Sequence, residues 1–99
     1  MLGLSKALGF GTAEVGQLLT DLNAGALIPA RFQRILTADH AHPSWELVMA
    51  RKDAGLMVDE AQRGGVPLTV APALAAVMDQ WIAQGHGHDD WTVITKDVR

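Results

Sequence analysis

Four histidines, eleven carboxylates and eight cations are the groups with which this chain could do chemistry. The run His86-Gly87-His88-Asp89-Asp90 and the triplet His40-Ala41-His42 have the ligand types of a metal site. Within each, however, the imidazoles are two residues apart, not at the i, i+4 spacing that lets one helix aim both at one ion. Both segments read as polar loops, and no metal is expected. Ser5 and Ser44 are the serines, neither sits in a nucleophile elbow, and Ser44 is better placed to cap the helix that follows it. The segment GFGTAE is glycine-rich, but a dinucleotide site needs a strand that delivers the glycine turn to a helix N-terminus. Here a helical pattern precedes it, so it is not a cofactor fingerprint.

Other classes fall on composition. With no cysteine, neither a disulfide framework nor a thiolate metal site is possible. The net charge is −3, and Lys6, Arg31, Arg34, Arg51, Lys52, Arg63, Lys96 and Arg99 are scattered, so no nucleic-acid footprint is present. No stretch reaches the roughly 18 uncharged apolar residues of a membrane span, and the opening MLGLSKALGFG has neither a basic start nor a small-residue cleavage site. A soluble, cytoplasmic protein is the expectation. Ninety-nine residues, 48% of them apolar and 19% charged, suffice for one domain with one modest core.

Helix punctuation recurs throughout, and period-two alternation is nearly absent, so five or six helices and no sheet are expected. The first runs from about Leu2 to Leu8 and stops at Gly9 and Gly11. Thr12 is placed to cap a second, with Glu14 in its first turn and Val15, Leu18, Leu19 and Leu22 at helical spacing, closed by Asn23 and Gly25. Pro29 starts a third that carries Phe32, Ile35 and Leu36 and ends near Thr37. After the loop TADHAHPS, the longest helix begins at Ser44 and keeps Leu47, Ala50, Ala54, Met57, Val58 and Ala61 on one stripe until Gly64 and Gly65. VPLTVAP is extended, because a residue before proline is pushed from helical dihedrals. Pro72 opens a fifth helix with Leu74, Val77, Met78, Trp81 and Ile82, ending at Gly85 and Gly87. Asp89 and Asp90 open the last, which presents Trp91, Ile94 and Val98. Trp81 and Trp91 are read as core or interface.

Four segments, in this order, resemble the C-terminal domain of the β-hydroxyacid dehydrogenases, which include 3-hydroxyisobutyrate dehydrogenase and tartronate semialdehyde reductase. They are NAG, SWELVMARKDAGLM, GGVPLTVAPA and QGHGHDDWTVI. The ordered set Lys52, Asp53, Gly65, Val66, Pro67, Asp89, Asp90, Trp91 is what carries the likeness. The related imine reductases share the GHG ending with its acids and aromatic, while the Lys52-Asp53 pair leans toward the hydroxyacid enzymes. The resemblance implies an all-α orthogonal bundle like the 6-phosphogluconate dehydrogenase C-terminal domain, spanning residues 1–99. It implies the substrate side of an oxidoreductase that moves hydride between NAD or NADP and a short β-hydroxyacid, and a homodimer formed through helical domains.

The family's GxGxxG segment, its substrate-binding glycines and its catalytic lysine would lie ahead of Met1. The chain is therefore expected to lack a catalytic residue and to be inactive by itself, as a piece of a longer enzyme. The other reading is a stand-alone helical module for self-association or partner binding. By resemblance, Lys52 reaches toward the cofactor, and Trp45, Met49 and Asp53 line the substrate cleft. Helical spacing puts Trp45, Met49 and Lys52 on one face, while Asp53, one residue on, points about 100° away.

Overall fold

Glycine and proline punctuation divides the chain much as the spacing predicts. The computed structural model describes residues 1–98, the side chain of Ala24 excepted. Five α-helices follow in order: α1 (Leu2–Ala7), α2 (Thr12–Asp21), α3 (Ile28–Thr37), α4 (Leu47–Arg63) and α5 (Val70–Trp81). A 3-10 turn (Ala24–Leu27) leads into α3, a π-helical turn (Ile82–His86) extends α5, and a 3-10 segment (Trp91–Val98) closes the chain. The all-α expectation holds. Among the described residues the one β-type pairing is an isolated antiparallel bridge between Glu46 and Asp90.

Packing is concentrated in the C-terminal half. Leu47, Ala50 and Ala54 of α4 meet Met78 and Trp81 of α5 and Val93 of the 3-10 segment, with Ile82, Trp91 and Ile94 at the margin. The alanines let the two helices approach closely, and each buried large side chain contributes about 1.5–3 kcal/mol. Across the pair, Arg51 Nε and Nη2 donate to the two carboxylate oxygens of Asp79 at 2.8 and 3.1 Å. At the far end of α4, Gly64 lies so close to α1 that a Cβ there would fall on the Ala7 carbonyl oxygen. That contact docks α1.

Local details depart from the expectation. The N-cap of α2 is Gly11, not Thr12, because the Glu14 carboxylate reaches back to accept the Gly11 amide at 2.7 Å. Ser44 does not cap α4: the helix begins at Leu47, and its first amides donate to backbone carbonyls, Leu47 to Asp89 at 2.9 Å and Val48 to Gly87 at 3.0 Å. α5 starts at Val70, so Pro72 lies within its first turn, not ahead of it. The last element is a 3-10 segment, not an α-helix. Gly85, at φ +95°, turns the chain between them.

The largest departure is in the stripes taken for core. Val15 is buried, but Leu18 and Leu19 of α2, Leu22 just after it, Phe32 and Leu36 of α3, Met57 of α4, and Leu74 and Val77 of α5 are exposed. α2 packs on α1 and α3 on the C-terminal 3-10 segment, so among the described residues no second layer covers their apolar faces. The Cα radius of gyration, 15.1 Å, exceeds the about 13 Å of a compact hundred-residue domain. No described helix is long and apolar enough to cross a membrane.

Candidate functional site

The face of α4 turned away from α5 is set by the same periodicity that buries Leu47, Ala50 and Ala54. Met49 and Lys52, three residues apart, and Leu56, one turn further, stand exposed on it. Among the described residues no ion pair engages Lys52, so its ammonium is available to an external anion. Asp53 is half-buried beside this face, and it too has no ion-pair partner among the described residues.

Trp45 lies ahead of the first residue of α4 and is not on the helical face that its spacing suggested. It is 38% exposed and meets the Trp91 ring edge-on, with centroids 6.0 Å apart. The structure thus brings Met49 and Lys52 together, and sets Trp45 at the N-terminal end of the same helix through its contact with Trp91.

What holds that end in place is a clasp that the sequence did not disclose. Asp90 is fully buried. Its Oδ2 accepts the Ser44 amide at 2.8 Å and the Ser44 hydroxyl at 2.9 Å, and its Oδ1 accepts the Thr92 amide at 3.1 Å and the Thr92 hydroxyl at 2.7 Å. Burial alone would raise the Asp90 pKa; the four donors of Thr92 and Ser44 outweigh it and hold the carboxyl at about 2. Arg34 Nε and Arg31 Nη1 stand 3.6 and 4.0 Å from Oδ2. Through them the carboxylate ties α3 to both the 38–46 loop and the C-terminal segment.

The two histidine segments take part in this clasp. Gly87 and Asp89 supply the carbonyls that cap α4, and a Cβ on Gly87 would approach Val48 Cγ1 to 2.9 Å. His86 Nδ1 lies 2.6 Å from Asp89 Oδ2, His88 Nδ1 2.9 Å from Glu46 Oε2, and His42 Nδ1 2.8 Å from Asp39 Oδ1. His42 chiefly holds the Asp39 carboxyl below its ordinary value. Each of these three imidazoles has its own carboxylate, and no group of three or more His, Asp or Glu among the described residues converges on a metal position. Sequence reasoning missed Arg31 and Arg34; their i, i+3 spacing on an otherwise apolar helix was the available signal.

Comparison with known proteins adds three findings. The model of the family described as NADPH-dependent reductive aminase-like, C-terminal domain, matches residues 6–99. The 3-sulfolactaldehyde reductases of Escherichia coli (strain K12) and Shigella flexneri are each 33% identical over 66 residues, covering 67% of this chain and 22% of theirs. The chain thus spans about a fifth of the length of these curated relatives. An imine reductase from Myxococcus stipitatus, a V8 variant in complex with NAD+, superposes with a TM-score of 0.83 at 17% identity, over 99% of this chain and 36% of that one. At that identity the likeness establishes the fold.

Proposed function

Because this chain belongs to the NADPH-dependent reductive aminase-like C-terminal domain family, we propose that it is the substrate-side helical domain of an NAD(P)-dependent oxidoreductase. Its substrate is a short β-hydroxyacid or the matching aldehyde, and its dinucleotide is carried by a Rossmann domain. The observation that carries the reading is the exposed Lys52 on the free face of α4, without an ion pair among the described residues and flanked by Met49 and by Trp45 at the helix start. The Lys52 ammonium offers charge-assisted hydrogen bonds to an anionic dinucleotide. Met49 and Trp45 give the reacting carbon an apolar wall that excludes water, and Asp53 closes its edge. The cofactor, when bound, supplies the hydride.

The match to aldehyde reductases over 66 residues supports this substrate class. A second reading, reduction of an imine, is favoured by the family description across residues 6–99. In both, the exposed leucines of α2 and α3 form a homodimer interface, which small size and uncovered apolar faces favour. The protein is taken as cytoplasmic.

The test is to join the chain to a Rossmann domain of this family and follow NADPH consumption with short hydroxyacid-derived aldehydes and with cyclic imines. Aldehyde turnover, with the cofactor KM raised about tenfold by Lys52→Ala, is the expected result. Imine turnover alone would select the second reading. A folded protein that binds NADPH and reduces neither class would overturn both.

A further inference from the structure

The cations of α3 lie outside the face assigned above, and the tether they form is an incomplete one. Asp90 already receives four hydrogen bonds from Ser44 and Thr92. The guanidiniums stand back from it at 3.6 and 4.0 Å, beyond hydrogen-bonding distance. The neutral donors supply the carboxylate's hydrogen bonds, so the two arginines meet it as ion pairs alone and keep N–H groups that it does not use.

Arg31 and Arg34 are instead held in position by groups that leave part of each fork open. Arg31 Nη1 donates to Ser44 Oγ at 2.7 Å, and its guanidinium carbon sits over the Trp91 ring, 5.7 Å from the centroid. Arg34 Nη1 donates to the carbonyls of Asp39 and His42 at 3.0 and 2.7 Å. Both side chains are partly exposed, and with Ser44, Leu27 and Ala30 they line an open cleft of about 210 Å³. Asp39 Oδ2, 3.6 Å from Arg34 Nη1, is the carboxylate on its rim, and it already pairs with His42.

We propose that this cleft binds a small oxyanion of the carboxylate or phosphate class through the N–H groups that Arg31 and Arg34 leave open, the Ser44 hydroxyl serving to position Arg31. Planar guanidiniums fixed by stacking and by backbone carbonyls are preorganised for such a group, since little side-chain entropy remains to be lost on binding. The volume suits a free anion or one terminal group of a larger ligand.

Titration of the 99-residue chain with inorganic phosphate, and separately with acetate, at constant ionic strength tests this by NMR. The expected result is a saturable shift of the Arg31 and Arg34 Nε–H signals and of the Ser44 amide. Phosphate alone would mark a tetrahedral ligand, and acetate as well a carboxylate; either supports the site. Arg31→Gln is expected to weaken binding about tenfold or more, whereas Arg51→Gln, on the α4–α5 pair, leaves it unchanged. Should Arg31→Gln unfold, Arg31→Lys keeps the charge without the fork and must still weaken binding. Shifts that do not saturate, or that persist unchanged without the Arg31 fork, would overturn the proposal.

Discussion

The two halves of this chain solve the same problem differently. From Leu47 onward, part of each apolar stripe meets a partner in the same chain: Leu47, Ala50 and Ala54 face Met78, Trp81 and Val93, while Met57, Leu74 and Val77 stay exposed. From Leu2 to Leu36 the spacing is as regular, yet among the described residues Val15 is the buried hydrophobic one, while Leu18, Leu19, Leu22, Phe32 and Leu36 face outward. An amphipathic pattern says that a face will be covered, not by what. The C-terminal half is a body with its own core. The N-terminal half is an arm, anchored at one end by α1 against Gly64 and at the other by α3 against the Asp90 clasp. Its stability rests on those two anchors and, in the proposed dimer, on a second copy.

The contrast is broken most severely at the clasp. Asp90→Ala leaves the buried Thr92 donors without an acceptor, frees those of Ser44 and removes the anion facing Arg31 and Arg34. A loss of about 3–5 kcal/mol is expected in urea denaturation. If the clasp serves the arm alone, the loss will instead be confined to α3, and the Trp81 signal of the body will be unaffected.

At the other anchor, Gly64→Ala forces a Cβ against the Ala7 carbonyl and to 2.7 Å from the Ala7 Cβ. The expected cost is about 1–3 kcal/mol, with α1 released to rapid proteolysis and α4–α5 left folded.

Acid separates the clasp from the rest. The Asp90 carboxyl titrates near 2 in the folded chain against an ordinary 3.8, so its stabilisation is full above pH 4 and is lost as pH falls toward 2. The loss should be about 2 kcal/mol. Thermal melts between pH 5 and 2 should show it, and an Asp90→Asn chain, already destabilised, should lack that component.

The smallest effect on folding is expected on the arm's outer face. Phe32→Glu should change the stability of the monomer within about 0.5 kcal/mol, since its ring is already exposed. It should nonetheless abolish self-association in sedimentation equilibrium.

Much of the fold was legible because its signals are local. Gly64 and Gly65 end α4, Pro29 lies in the first turn of α3, and Leu47, Ala50 and Ala54 give α4 its buried stripe. The clasp was not, because Ser44 and Asp90 are 46 residues apart and each had a sufficient local reading, one as a cap and the other as a helix-dipole acid. Long-range pairing overrode both. Of the candidate site, Met49 and Lys52 followed from spacing, whereas Trp45 was placed by its contact with Trp91, which periodicity does not encode.

The most direct measurement is native-state amide hydrogen exchange on the chain at two concentrations. The expected result has α4 and α5 strongly protected and independent of concentration, with α2 and α3 less protected in dilute solution and gaining protection as the chain associates. Equal protection of arm and body, unchanged by concentration, would contradict the account, since the arm would then be as complete in itself as the body.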